Sequence, residues 1–196
     1  PTADRAYLVN RVAAEKYPDV KFTAFGGLCL NHPVGGLNPD AVETSLKLGA
    51  KVIWLPTNTA ENHYRKNGKD PSKGVVVTRD GKAVDELQDI FALVKQYNAV
   101  LATGHIGAEE CFPVVEAARA AGVEKIVITH PEFWVVGMTP EQQADIVRKY
   151  DVLLESVYAQ PVNGSYKINI PDNIAAMKAI GPEHFVISTD SGQTVN

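Results

Sequence analysis

The sequence predicts a parallel α/β fold, and three observations point there. Short apolar runs recur along the chain, at residues 52–55, 100–102, 126–128, 152–154 and 185–187. Stretches with helical hydrophobic spacing separate them. Several runs then deliver a polar, ligand-type side chain just past their carboxyl end, as at His105, His130 and Asp190. Runs alternating with helices are the pattern of βα units, and near-continuous apolar strands suit a parallel sheet buried on both faces.

Composition sets the outer limits. The chain has 196 residues, 45% hydrophobic and 21% charged, which suits one globular unit with a substantial core. A formal net charge of −4, with no block of like charge, gives no basic face for nucleic acid. No apolar run approaches the roughly 20 residues of a membrane span, and no signal-peptide pattern opens the chain. A cytoplasmic protein is expected. Cys29 and Cys111 form neither a Cys-x-x-Cys pair nor a disulfide framework and read as small buried hydrophobes.

In chain order, residues 4–17 predict a helix with Leu8, Val12 and Ala13 on its inner side and Pro18 as its stop. Residues 21–30 predict a strand entering a glycine-rich loop. Asn38 before Pro39 is an N-cap and first-turn pair, and the helix that follows turns Val42 and Leu46 inward and closes at Gly49. Residues 58–73 are polar and turn-rich, long enough for a lid or binding loop. Asp80-Gly81 between two apolar arms predicts a hairpin, an insertion over 74–84. Leu87, Phe91 and Val94 mark the next helix, and Phe112, Val115 and Ala118 another. Thr139-Pro140-Glu141-Gln142 is a capping box ahead of Ile146 and Val147. Ile174, Met177 and Ile180 precede the last run.

Six strands in this rhythm fit an open doubly wound sheet or a closed barrel. The preferred reading is a partial TIM-like (β/α)8 barrel, with about six βα units present. Its first two strands and last helix would lie outside residues 1–196.

In either architecture sites form at the carboxyl ends of strands. Read in order, those ends offer Asn31 and His32, then Thr57, His105, His130, Glu155 and Asp190. A histidine alone after a strand reads as a turn or hydrogen-bonding residue. His105, His130 and Asp190 at equivalent ends read instead as zinc-type ligands. His184 precedes its strand and belongs to the opposite, structural face. Asn31, His32, Thr57 and Glu155 are candidate substrate contacts. His63 could reach substrate from the 58–73 loop, although a solvated position suits it better. Glu109 and Glu110 open a helix, where the dipole accounts for them. No dinucleotide, Walker or serine-elbow motif is present.

Thr103-Gly104-His105, Thr129-His130-Pro131 and Ser188-Thr189-Asp190-Ser191-Gly192 together resemble the amidohydrolase superfamily of metal-dependent hydrolases. Gly35-Gly36-Leu37-Asn38-Pro39 and Trp54-Leu55-Pro56-Thr57 resemble an uncharacterised branch of it. The resemblance implies that His105 and His130 bind a divalent metal, most simply zinc, with manganese or iron as alternatives. It implies that Asp190 binds metal and serves as general base. The superfamily's His-x-His pair is absent from these residues, and Thr57 stands where a carboxylated lysine or glutamate is common, so one metal is expected rather than two. The expected activity is metal-dependent hydrolysis of a small-molecule amide, ester, lactone or phosphoester. The alternatives are a non-catalytic ligand-binding barrel that has lost the full metal site, and an open α/β enzyme with a metal-free histidine site. Self-association into a homo-oligomer stays open.

Overall fold

The computed structural model describes residues 3–158 and 170–191. Six strands form one parallel sheet in the order β1 (Gly26–Cys29), β2 (Ala50–Trp54), β5 (Val100–Ala102), β6 (Ile126–Ile128), β7 (Leu153–Val157) and β8 (Phe185–Ser188). Each strand pairs with its neighbour in chain order apart from the hairpin strands, as successive βα units require.

The helices settle which parallel architecture this is. Leu28, Ile53, Leu101, Ile126, Ile128 and Leu154 point from the sheet into one core, together with Val42 and Leu46 of α2 (Pro39–Lys47). The same core takes Leu87, Ile90, Phe91 and Val94 of α4 (Leu87–Gln96), Val114 and Val115 of α5 (Ala108–Ala120), and Ile146 of α6 (Pro140–Tyr150). Alternate residues Val52, Trp54, Val100 and Val127 on the other face are only partly covered. A doubly wound sheet carries helices on both faces. Helices gathered on one face make this sheet a barrel wall.

Local signals behave as their chemistry dictates. Asn38 accepts the N–H groups of Asp40 and Ala41 at 3.1 and 3.3 Å. Thr139 and Gln142 form the reciprocal capping box. The hairpin consists of β3 (Thr78–Arg79) and β4 (Lys82–Ala83), joined by Asp80 and Gly81 with φ of 51° and 74°, the left-handed pair that a two-residue turn needs. Its arms are shorter than predicted, but Val77 and Val84 at its base are buried. The Thr78 hydroxyl ties it to Glu110 at 2.9 Å.

Four expectations are corrected. In α1 (Ala3–Lys16) only Ala3 is buried, and Leu8 and Val12 are exposed, because the helix meets the sheet through its first turn near β1. The predicted strand over 21–30 pairs only from Gly26, where β2 begins to offer partners. Residues 58–73 are not an open loop: they contain α3 (Glu61–Lys66) and a tight turn at Pro71–Lys73, and Val75 donates back to Thr59 at 2.7 Å. Glu155 lies within β7, opposite Val186, rather than beyond its end. Ile174 of α7 (Ile170–Ile180) is 47% exposed. Gly192 of the last motif lies outside the described residues. Among the described residues no helix is long and apolar enough to cross a membrane.

Candidate functional site

His105 lies three residues past β5 and His130 two past β6, with ring centroids 5.1 Å apart and planes inclined by 51°. Local chemistry puts them there. Gly104 turns at φ +65°, and a Cβ on it would sit 2.5 Å from the Leu55 carbonyl, so glycine alone permits this close passage across β2. The His105 N–H then donates to the Pro56 carbonyl at 2.9 Å. Two buried threonines join the adjacent strand ends: Thr103 Oγ1 accepts the Thr129 N–H at 3.0 Å, and Thr129 Oγ1 accepts the Gly104 N–H at 2.9 Å. His130 is buried at φ +24°, outside the conformations that histidine ordinarily favours.

A third histidine joins them from the segment between β2 and the hairpin. His63 of α3 brings its Nδ1 to within 2.8 Å of the His105 Nδ1. Asn62 beside it is buried and spends its amide N–H groups on the carbonyls of His105 (3.0 Å) and Val135 (2.7 Å), tying α3 across both strand ends. Trp134 lies 6.1 Å from the His63 ring, and Phe133 lies 5.1 Å from that of His130. The sequence offered His63 as a residue that could reach substrate from a loop, with a solvated position preferred. A histidine and asparagine adjacent on a short helix were the available signal.

Burial holds the His105 ring well below the ordinary histidine range, with the fields of His130 and His63 adding to it. Burial pushes His130 down to about 4. His63 is lowered by burial and then by Lys69. All three shifts favour neutral imidazole, the form that binds metal or accepts a proton. The Nδ1 of His130 is the one buried side-chain nitrogen or oxygen without a hydrogen-bond partner among the described residues.

Carboxyl groups gather on the β7 side. Burial raises Glu155, opposed by the Ser188 hydroxyl, which donates to it at 2.7 Å, and reinforced by the charge of Asp190. Burial also raises Glu132, a residue the strand-end pattern did not single out, and Glu155 adds to that shift. Asn173 of α7 donates to Glu132 at 3.2 Å and to the Ser156 hydroxyl at 3.2 Å. Asp190 sits two residues past β8 at φ +49°, exposed to solvent.

The remaining candidates are placed at the β1 and β2 ends, bonded to the protein itself. Asn31 donates to the Thr57 hydroxyl at 2.7 Å and accepts from the Thr57 N–H (3.0 Å), the Thr59 N–H (3.1 Å) and the Thr59 hydroxyl (2.9 Å). This clamps two strand ends and occupies the Asn31 carbonyl. The exposed His32 pairs its Nε2 with the Lys73 carbonyl at 2.7 Å. His184 lies in the turn before β8, on the opposite face as expected.

The donor set fits a metal in part. Two neutral imidazoles, one with an orphaned nitrogen, suit nitrogen ligands. Among the described residues, however, no group of three or more His, Cys, Asp or Glu side chains is spaced to hold an ion as they stand. Asp190 acts on Glu155 and Cys29 through its charge.

One solved structure shares the architecture. An amidohydrolase from Pseudomonas aeruginosa superposes with a TM-score of 0.56 at 14% identity, over 98% of this chain and 57% of that one. A 2,6-dihydroxybenzoate decarboxylase superposes with a TM-score of 0.47 at 16% identity, over 97% and 68%. The chain thus spans little more than half the length of the amidohydrolase, and at such identities the likeness concerns the TIM-barrel fold alone. Among curated proteins, none matches the sequence. The profile of a family of unknown function, DUF6282, matches residues 1–155, and the chain belongs to that family.

Proposed function

We propose that this chain forms the site-bearing part of a divalent-metal-dependent hydrolase of the amidohydrolase superfamily. The observation that carries the reading is the buried, unpartnered Nδ1 of His130 beside the neutral ring of His105 at adjoining strand ends. A bound ion, zinc or else manganese or iron, would supply Lewis-acid activation of water at this face. His105 and His130 would hold it, with Asp190 as the carboxylate that accepts the water's proton. Glu155 retains its proton to higher pH than an ordinary glutamate, which suits it to protonate a leaving group. The substrate is a small molecule with an amide, ester, lactone or phosphoester bond.

Metal analysis of the protein tests this. One equivalent of zinc, manganese or iron is expected per chain, lost in an H105A/H130A variant. An absence of metal after growth and reconstitution in all three, or binding that the double variant leaves unchanged, overturns the reading. The incomplete ligand group favours one rival, a barrel that binds small molecules without turning them over. A screen of lactones, amides and phosphoesters with added metal separates the two.

A further inference from the structure

Two features of the His63–His105 contact stand apart from any ligand. The rings are nearly parallel, 16° apart, with centroids 4.9 Å apart and Nδ1 atoms 2.8 Å apart. The centroid separation exceeds the nitrogen separation by almost a full ring width, so the rings meet edge to edge and not face to face. That is the geometry of a hydrogen bond, since the imidazole N–H and lone pair both lie in the ring plane. The contact is also built rather than incidental. Asn62 pins α3 to the His105 carbonyl, and Asn67 donates to the His63 carbonyl at 2.8 Å at the other end of the helix.

We infer that His63 is a positioning residue for His105: its Nδ1 accepts the Nδ1 proton of His105 and leaves the Nε2 of His105 as a bare lone pair. Two neutral imidazoles in this contact share one proton, and the choice turns on where the other N–H goes. If His63 were the donor, the second proton would sit on Nε2 of His105, in the more enclosed ring. Water reaches that ring less readily than it reaches His63, and native proteins leave an enclosed N–H unmet more rarely than an unfilled lone pair. With His105 as donor, the second proton sits on Nε2 of His63, on a half-buried ring at the surface helix α3, where water can satisfy it. The arrangement does for His105 what a carbonyl or carboxylate does for many ligating histidines, fixing tautomer and ring orientation together. The inference rests on the hydrolase reading only for what the bare nitrogen serves.

Long-range 15N–1H NMR of the labelled, metal-free chain at pH 7.5 reads the tautomers directly. The expected spectrum has His105 protonated at Nδ1 and His63 at Nε2. In His63→Phe, which cannot accept, His105 should shift to a tautomer mixture, and in His63→Gln, which keeps an acceptor oxygen, it should return. Zinc binding should weaken roughly 10–100-fold in His63→Phe and recover in His63→Gln. A wild-type His105 protonated at Nε2 overturns the inference, as does a folded His63→Phe with an unchanged tautomer. Should His63→Phe fail to fold, the wild-type spectrum alone decides. A wild type with the expected tautomers that binds no metal removes the hydrolase reading and leaves this one standing.

Discussion

Thr103 and Thr129 are spliced across neighbouring strand ends: the Thr129 N–H donates to the Thr103 hydroxyl, and the Thr129 hydroxyl accepts from Gly104, next to Thr103. Each hydroxyl satisfies a backbone donor that the strand ladder has stopped serving. Thr103→Val and Thr129→Val keep the shape and orphan one buried N–H each. Each should cost about 1–3 kcal/mol, or a melting temperature lower by roughly 2–4 °C per kcal/mol. The two losses should be strongly non-additive in a double variant, because the bonds hold one unit. Additive losses in calorimetry would show two independent contacts instead.

Gly104→Ala should be far more damaging than either threonine change. It adds a Cβ 2.5 Å from the Leu55 carbonyl and at φ +65°, a conformation alanine resists. Relief requires β2 and β5 to separate where His105 is held against Pro56. We expect destabilisation of at least about 3 kcal/mol, seen in urea unfolding, and loss of the His63–His105 contact in NMR.

The buried histidines make stability depend on acid in a definite direction. His130 titrates near 4 in the fold and at its ordinary value of 6.5 when unfolded. Between those values the unfolded chain binds more protons, so the stability contributed by neutral His130 is complete above 6.5 and is lost as pH falls towards 4. His105 and His63 shift the same way, whereas the raised Glu132 and Glu155 oppose it. Comparison with His130→Asn, a side chain that tolerates positive φ, isolates one group. In metal-free protein, wild type should lose more stability than the variant between pH 7 and 4.5, by on the order of 2 kcal/mol. Parallel urea curves would show that His130 does not titrate in this way.

Glu155→Gln separates stability from chemistry. The fold prefers the protonated carboxyl, so an uncharged isostere that still accepts from Ser188 should stabilise the protein by up to about 1 kcal/mol at pH 8. At pH 4, where the glutamate is itself protonated, the gain should vanish. Any hydrolysis found in the substrate screen should fall in the same variant. A stability gain that is the same at both pH values would point to packing rather than charge.

What could be read from the sequence was whatever depended on neighbours a few residues away. The capping box at Thr139 and Gln142, the N-cap at Asn38 and the turn at Asp80-Gly81 are local bargains between side chain and backbone, and they form as written. The placement of His105 and His130 followed from strand periodicity. The pairing of His63 with His105 was missed because the two lie 42 residues apart, and only the folding of residues 58–73 onto the strand ends joins them. Asn31 was offered as a substrate contact because its position was right, but its amide is spent on Thr57 and Thr59, 26 and 28 residues on. The apolar residues of α1 repeat at helical spacing, and periodicity alone could not tell that the adjoining surface leaves Leu8 and Val12 open.

The hairpin offers an external handle on the site. Its tip is open, with no atom within 4 Å of where a Cβ on Gly81 would stand. Its base is sealed into the core by Val77 and Val84, and Thr78 grips the glutamate that caps the helix immediately after His105. A probe at the exposed Lys82 would therefore ride on a short, stiff arm bolted to the histidine loop. The chain is also well suited to thiol labelling there: Cys111 is fully buried with its thiol pushed up to about 12, and burial raises Cys29. A Lys82→Cys fluorophore should then report occupancy at the strand ends without touching them.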